Sequence, residues 1–292
     1  MKKRILVGLV AVSSVAALLT GCTSAPGDAA GGADAKPYGD CEVAGKKGEF
    51  TLQTLEEGKL TVKADLPSRG WYNGDTVDSI KDGVDYCILA NIAYRSGIDE
   101  IDLQNSSFDG LIAGKAGDMD LTLNQITITD ERAEIFDFSE PYFSSTAGVV
   151  VKKGADIDAD SLRDAKIGVK QGTTEQIFVE STLKPSQQVS VFPGDPELDA
   201  AVAAGQIDAA VQDLSVALGS ATASNGAIEV IGQYDSGQSM GVLLPKGSPN
   251  TAVVSEIIQQ MKQDGTIDEL SSKYLSVAYG VDPTEIPLWS IE

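Results

Sequence analysis

Short stretches in which side chains point alternately to two faces recur along the chain and predict β-strands. Residues 58–64 and 121–128 are two such stretches, and residues 98–103 form a third. Residues 83–97 place apolar side chains at helical spacing instead, and so do residues 253–261 near the C-terminus. Strands that are interspersed with helices indicate an α/β fold.

A weak internal repeat divides this α/β chain. Residues 117–121 and 205–209 share the order glycine, any residue, apolar residue, aspartate and strand start. A few residues later, one strand reaches Asn124 to Thr127 and the other reaches Asp213. Two copies of the pattern predict two similar lobes that face each other.

Two similar valine- or leucine-rich strands, at 149–154 and 242–247, bracket the second copy of the repeat. We therefore expect two crossover segments, near 144–146 and 236–240. The first lobe is then discontinuous and comprises residues 41–145 plus 240–292, and the second comprises residues 146–239. Residues 280–292 are expected to pack loosely on the first lobe.

The residues after the strand at 121–128 predict a short helix with an unusual charge in its first turn. Thr129 is a good N-cap, whereas Arg132 opposes the helix dipole. One interpretation is a carboxylate site, because a guanidinium binds a carboxylate bidentately and Thr127 adds a hydroxyl. The other is a surface ion pair with one of three nearby acids, Glu131, Glu134 or Asp137.

The N-terminus has the features of an export signal. Residues 2–4 are basic, and the apolar run that follows, 5–19, is too short for a membrane span. Residues 19–22 resemble a lipobox, so 1–21 is expected to be a lipoprotein signal peptide and Cys22 to carry lipid; an ordinary cleaved signal is the alternative. Residues 22–40 lack periodicity and predict a flexible tether.

Export of the chain suggests a use for the two remaining cysteines. Cys41 and Cys87 are expected to form a disulfide in an oxidising compartment, and the alternative is two unrelated thiols.

Charge excludes several functions. The formal net charge is −21, and removal of the basic signal segment makes it more negative. Nucleic acid is therefore not an expected partner, since its binding needs a basic surface. The chain has no histidine, which is the usual metal ligand and catalytic base. We expect no metal, no cofactor and no catalytic residue.

The segments Thr127-Ile-Thr-Asp-Glu-Arg132 and Phe136-Asp-Phe-Ser-Glu-Pro-Tyr142 together resemble a known signature. It is that of the polar amino-acid solute-binding proteins of ABC importers, the bacterial extracellular solute-binding protein family 3. The resemblance covers roughly residues 58–275. It implies a two-lobed, type II periplasmic-binding-protein-like fold with two crossovers and a central ligand cleft.

The resemblance also implies roles for the residues that hold the ligand's charged head. Arg132, Thr127 and Thr174 would bind its carboxylate, and Asp213 would bind its ammonium group. Two of these residues have a purely structural alternative, because Thr174 lies at a capped helix start and Asp213 is itself a good cap.

Five more residues would select the ligand's side chain: Asp65, Phe108, Asn124, Trp71 and Lys170. Asp65 is alternatively a turn residue, Phe108 a core residue, and Trp71 a cover for the loop at 67–75. An acid at position 65 suits a basic amino acid, whereas Lys170 suits glutamine or glutamate. Together the two charges favour a neutral amide such as glutamine.

The implied function is capture of a polar L-amino acid, glutamine-like or basic, by closure of the cleft and delivery to a membrane permease. The partners would be the free amino acid, the transmembrane subunits of the permease, and the membrane through the lipid on Cys22. The protein would be a monomer on the extracytoplasmic face of the cell membrane. The alternatives are an enzyme on the same fold, similar to a dehydratase, and a ligand-sensing lipoprotein.

Overall fold

Residues 37–291 are described in the computed structural model. The signal peptide, Cys22 and most of the tether predicted from the sequence lie outside these residues. The strands are β1 (Lys59–Ala64), β2 (Glu100–Asn105), β3 (Phe136–Phe138), β4 (Phe143–Lys152), β5 (Ile167–Lys170), β6 (Ser190–Phe192), β7 (Ala209–Asp213), β8 (Ile228–Met240), β9 (Leu243–Pro245) and β10 (Leu288–Trp289).

Eight α-helices join these strands in the described part of the chain. They are α1 (Val84–Arg95), α2 (Phe108–Ile112), α3 (Asp130–Ile135), α4 (Thr174–Phe178), α5 (Asp195–Ala203), α6 (Leu214–Ala223), α7 (Thr251–Gln263) and α8 (Thr266–Tyr279). Short 3-10 turns occupy Val77–Ser79, Leu162–Asp164 and Pro283–Glu285, and a π-helical turn occupies Val179–Leu183. None of the helices described here is both long and apolar enough to cross a lipid bilayer.

The first lobe is built on the parallel pair β1 and β2, in which Lys59 lies opposite Glu100. A second, antiparallel pair joins β3 to β9. The stretch 121–128, which the sequence predicts as a strand, forms isolated bridges instead, since Gln125 interrupts it with a φ of 49°. The buried core of this lobe draws on α1, α7 and α8, which cover the strands with apolar side chains.

The second lobe is a six-stranded sheet with the order β10-β8-β4-β7-β5-β6. Strands β5, β6 and β7 are parallel to one another, and β4 runs antiparallel to both β7 and β8. One buried apolar cluster lies against each face of this sheet, because alternate residues of β4 belong to different clusters: Val149 to one and Val150 to the other. The parallel strands end at the edge where α4 and α6 begin.

Strands β4 and β8 each run from one predicted lobe to the other. Their pairing begins at Phe143 opposite Met240 and has an irregularity between Ser145 and Ala147. This position agrees with the predicted crossovers near 144–146 and 236–240. The lobe boundaries drawn at 145/146 and 239/240 stay predictions.

The C-terminal tail, residues 280–292, was expected to pack loosely on the first lobe, and this expectation is wrong. Within the tail, β10 adds a parallel strand to the second-lobe sheet beside β8. The ring of Trp289 lies over Gly232, where a Cβ would come within 2.2 Å of the ring, and meets Tyr234 edge-on. The side-chain amide of Gln233 donates to the carbonyls of Pro283 and Ile286. These contacts account for the tail's position.

Cys41 and Cys87 form a disulfide with a Cα–Cα distance of 5.2 Å, as the sequence predicts. Cys87 lies on the buried face of α1, so the bond ties the first described residues to that helix. The disulfide prediction is confirmed, and the alternative of two free thiols is wrong.

Candidate functional site

A narrow cavity lies between the two lobes, where the strand ends of both meet. Most of the residues that the sequence assigns to the ligand line it: Phe108, Asn124, Thr127, Arg132, Lys170, Thr174 and Asp213. Ligands of open α/β sheets bind beyond the carboxyl ends of strands, and β5 and β7 end here at Lys170 and Asp213.

Arg132 is a buried cation without a carboxylate partner. Thr129 caps α3 and accepts a hydrogen bond from the amide of Arg132 at 3.2 Å. One guanidinium nitrogen donates to the carbonyl of Thr127 at 2.7 Å and the other to the carbonyl of Gly172 at 3.0 Å. No described carboxylate lies within 4.0 Å, so the surface ion pair is not formed. Burial lowers the pKa of Arg132.

Asp213 is a buried acid, and one of its two carboxylate oxygens has no hydrogen-bond donor in the described part of the chain. Its Oδ1 accepts hydrogen bonds from the amide of Ser215 at 2.8 Å and the hydroxyl of Ser145 at 3.0 Å. Its Oδ2 is buried and has no hydrogen-bond partner among the described residues. Burial, followed by the charge of Glu175, raises the pKa of Asp213 to about 7. Capping of α6 occupies Oδ1 only, so the cap is formed while Oδ2 stays available to a ligand.

Glu175 is a cavity residue that the sequence reasoning missed. It is buried in the first turn of α4, where Thr173 caps the helix and accepts from the amide of Gln176 at 3.1 Å. The side-chain amide of Gln238, on β8, donates to Glu175, and burial raises the pKa of this carboxyl. Its charge also acts on Asp213. An acid two positions after a capping threonine is ordinary for a helix start, so the sequence carried no signal for this role.

Two threonine hydroxyls from opposite lobes meet at this cavity. Oγ1 of Thr127 lies 3.4 Å from Oγ1 of Thr174 and 3.2 Å from the side-chain oxygen of Gln238. The Thr174 hydroxyl also lies 3.4 Å from Glu175. The predicted carboxylate-binding hydroxyls are therefore close to each other and to Arg132, whose donor reaches the Thr127 carbonyl.

A charged triad lies at one end of the cavity. The ammonium of Lys170 contacts Asp65 of the first lobe and lies 2.7 Å from Asp195 of the second. Burial alone would lower the pKa of Lys170, but the carboxylates of Asp195 and Asp65 raise it. Lys170 and Asp65, which pointed to different ligands in the sequence, thus neutralise each other. Asp195, at the start of α5, was not foreseen.

Phe108 and Asn124 shape the wall next to this triad. The ring of Phe108 lies 4.9 Å from the Lys170 ammonium and 5.7 Å from the Arg132 guanidinium, within the range of cation–π contacts. Asn124 accepts a hydrogen bond from the amide of Asp65 at 2.6 Å. Phe108 therefore contacts both cations, and Asn124 holds the loop that presents Asp65.

Trp71 does not line this cavity, which corrects the expectation that it selects the ligand. The residue is fully buried, and its ring packs edge-on against Phe143 with centroids 5.0 Å apart. The loop folds back over the start of α1, because the amides of Val84 and Tyr86 donate to the carbonyls of Gly70 and Trp71. Its role is to anchor the loop in the core of the first lobe.

The site contains no constellation for metal binding within residues 37–291: no group of three or more cysteine, aspartate or glutamate residues could hold an ion. Among the described residues, its chemistry consists of one buried guanidinium without a carboxylate partner, the buried carboxyls of Asp213 and Glu175, the paired charges around Lys170, and several hydroxyl and amide groups. Such a set suits a small molecule that has both a negative and a positive charge.

Comparisons with known proteins agree with this geometry. The L-cystine-binding protein TcyJ of Escherichia coli (strain K12) is 32% identical over 219 residues, which cover 73% of this chain and 79% of the relative. A solved ancestral arginine-binding protein bound to arginine has a TM-score of 0.67 at 29% identity and covers 75% of this chain and 98% of its own.

A third similar structure is the ancestral amino-acid-binding protein AncCDT-1, a precursor of cyclohexadienyl dehydratase. Its TM-score is 0.65 at 28% identity, over 75% of this chain and 95% of its own. The model of one protein family matches residues 68–277. The two-lobed fold and the motifs around Arg132 are therefore those of a known group, and the chain belongs to the bacterial extracellular solute-binding proteins, family 3.

Proposed function

We propose that this protein captures a polar L-amino acid in the cavity between its lobes and holds the zwitterionic head with Arg132 and Asp213. One observation supports the proposal above all others. The same cavity is lined by a buried guanidinium that has no carboxylate partner in the described chain and by a buried carboxylate oxygen that has no hydrogen-bond donor there. An unpaired buried charge is costly, and one zwitterion satisfies both groups.

The ligand's carboxylate would bind Arg132 and the hydroxyls of Thr127 and Thr174. Its ammonium group would donate to the free oxygen of Asp213 and face Glu175, so that two acids share one cation. Arg132 and Thr127 belong to the first lobe, whereas Thr174 and Asp213 belong to the second. The ligand therefore bridges the lobes and favours the closed state over the open one.

The closed state is then the form that the membrane permease of an ABC importer recognises. Family membership supports this step, since solute-binding proteins of this family deliver their ligand to such permeases. Two β-strand crossovers, β4 and β8, are the segments on which the lobes would turn.

A neutral polar side chain suits the far end of the cavity best. Lys170 already has two carboxylate partners, Asp65 and Asp195, and an ammonium has three donors. One donor is thus left for a ligand oxygen, while Phe108 covers the apolar part of the side chain. The names of the relatives mention chemically different amino acids, among them cystine and arginine, and so do not single out one ligand. The choice of the first ligand to test therefore rests on the inner cavity, which favours an amide such as glutamine.

We also propose that the protein acts as a monomer on the extracytoplasmic face of the membrane, held there by lipid on Cys22. Its role is binding without turnover. A second candidate function is an enzyme on the same fold, which the similarity to AncCDT-1, a precursor of cyclohexadienyl dehydratase, favours. Asp213, with its raised pKa, would be the acid or base of such an enzyme.

A thermal-shift panel of the L-amino acids tests the proposal, with the reaction mixture examined by NMR. Ligand at about 100 times its Kd stabilises by about 2.7 kcal/mol, which raises the Tm by roughly 5–10 °C for a chain of this size. We expect such a shift for at least one polar amino acid and an unchanged NMR spectrum of the ligand. No shift with any amino acid contradicts capture, and a new product contradicts binding without turnover.

A further inference from the structure

A second and larger cavity, of about 670 Å³, lies beyond the charged triad. The loop at 67–75 forms its first-lobe wall, and α5 and α6 form its second-lobe wall. Asp195 and Val216 line both this outer cavity and the inner one, so the two spaces meet at the Lys170–Asp195 pair. None of the roles assigned so far uses the outer cavity.

The second-lobe wall of the outer cavity is mostly small and apolar. Helices α5 and α6 contribute alanines and a glycine to it, with Ala200, Ala203 and Gly219 as examples. Such a wall accommodates a chain of apolar atoms without offering it a polar partner. A ligand that passes the triad would therefore need a hydrophobic linker before its next polar group.

Charged groups of opposite sign line the two walls of the outer cavity. Asp199 lies one helical turn after Asp195 on α5, and its Oδ1 is buried without a hydrogen-bond partner among residues 37–291. Burial raises the pKa of Asp199 to about 6, so the group is ionised at neutral pH. Across the cavity, Arg69 is exposed, and no carboxylate of the described chain lies within 4.0 Å of its guanidinium. The outer cavity thus repeats the chemistry of the inner one: an acid with an unused oxygen and a guanidinium without an acid.

We infer that the outer cavity is a subsite for the far end of an elongated ligand that has a second amino-acid head. The inference rests on the proposed function, since the first head occupies the Arg132–Asp213 site. The second ammonium group would donate to Asp199, and the second carboxylate would bind Arg69. The apolar linker would run past Lys170 and along the alanines of α5.

The substrate class is therefore an α,α′-diamino dicarboxylic acid, in which two amino-acid heads are joined through their side chains. A single-headed amino acid fills the inner cavity only, so Oδ1 of Asp199 stays without a hydrogen-bond donor and Arg69 without a carboxylate from the described residues. Two-headed ligands of this kind are expected to bind more tightly than single-headed ones with the same linker chemistry.

Two thioethers provide a matched pair of probes. L-cystathionine has two amino-acid heads and L-methionine has one, and neither can be reduced. Calorimetry on the complete chain is expected to give cystathionine an affinity at least about tenfold higher than that of methionine. Equal affinities would overturn the subsite. Failure of all amino acids, single-headed or two-headed, would overturn the proposed function as well, so the two failures are distinguishable.

Substitutions on α5 test whether the outer cavity causes the difference in affinity between cystathionine and methionine. Ala200→Phe fills the outer cavity from an exposed position, and Asp199→Asn removes the acid. Each is expected to reduce the cystathionine-to-methionine affinity ratio by about tenfold. Ala204→Phe and Glu197→Gln are the matched controls, because both residues are exposed on or beside the same helix and do not line the cavity. A ratio that stays at the wild-type value in Ala200→Phe would refute the subsite.

Discussion

The substitution Asp213→Asn tests the ammonium site, because it removes a charge and almost no volume. It is expected to stabilise the ligand-free protein near pH 8 and to weaken ligand binding. Oδ1 of Asp213 accepts from the Ser215 amide and the Ser145 hydroxyl, and an asparagine oxygen accepts the same bonds. Asparagine also caps a helix as well as aspartate does, so α6 keeps its start. The variant is therefore expected to fold, with only the free oxygen changed.

The effect on the ligand-free protein follows from the pKa. Burial raises the pKa of Asp213 from 3.8 to about 7, a difference of roughly three units, or about 4 kcal/mol. Because the folded pKa is the higher one, the native state holds the proton more tightly than the unfolded state. Its contribution to stability is fully present below about pH 4 and is lost as the pH rises toward about 7. Wild-type protein near pH 8 thus contains a buried, ionised and partly unpaired carboxylate.

Asparagine removes that penalty and introduces a smaller one. Its amide group places unpaired N–H donors where Oδ2 of Asp213 was, at a cost of about 1–3 kcal/mol. Near pH 8 the variant is therefore more stable than wild type by roughly 1–3 kcal/mol, and near pH 5.5, where the wild-type penalty is only about 2 kcal/mol, the two are about equal. Ligand binding shows the opposite sign, since loss of the ion pair to the ammonium weakens it by about 3–5 kcal/mol.

Urea denaturation near pH 5.5 and near pH 8, together with calorimetry of the bound amino acid near pH 8, measures all three quantities. Asp160→Asn is the control, because Asp160 is exposed on the same lobe and lines no cavity. The reasoning is refuted if Asp213→Asn binds within about twofold of wild type, or if its stability follows the same pH dependence as wild type.

Three further predictions concern other parts of the molecule. Arg132→Ala is expected to weaken ligand binding by about 3–5 kcal/mol in calorimetry, and an affinity within about twofold of wild type would count against the carboxylate site. Trp289→Ala is expected to lower the free energy of unfolding by about 2 kcal/mol, because the ring is half-buried against Gly232, whereas Leu288→Ala, at a residue 65% exposed, should change it by less than about 0.5 kcal/mol. Reduction of the Cys41–Cys87 disulfide, which spans 46 positions, should lower the unfolding free energy by about 4 kcal/mol, and an unchanged urea midpoint would show that the bond constrains nothing.

Local patterns were sufficient for the elements that bury one regular face. The strand predicted at 58–64 is β1, and the helix predicted at 83–97 is α1, because apolar periodicity reports directly which side of an element meets the core. The helical spacing at 253–261 falls within α7, which runs from Thr251 to Gln263. The fold class is confirmed, since the same patterns and motifs belong to a family with a known architecture.

Residues with non-local roles were beyond the reach of pattern reasoning. Trp71 is an aromatic residue in a polar loop, and such a residue either lines a site or anchors the loop, depending on how the loop folds back. Asp195 and Glu175 look like ordinary first-turn acids of their helices, and their place in the cavity depends on a partner elsewhere in the chain. The tail at 280–292 has no periodic pattern and contains only one tryptophan and two prolines as distinctive residues. The residue on which Trp289 packs, Gly232, lies more than fifty positions earlier in the chain.

Short-range patterns predicted β1, α1, the capped start of α3 and the position of Arg132 and Asp213 at the ends of elements. These features follow from periodicity, capping and the family motif, all of which act over a few residues. The pairing of Cys41 with Cys87 was expected from the oxidising compartment instead. The three-dimensional fold was needed to show that Asp65 and Asp195 neutralise Lys170, that Asp213 keeps one oxygen free, and that a second cavity adjoins the first. The reason is physical: the energy of a buried charge depends on which groups the fold brings within a few ångströms, and those groups come from distant parts of the chain.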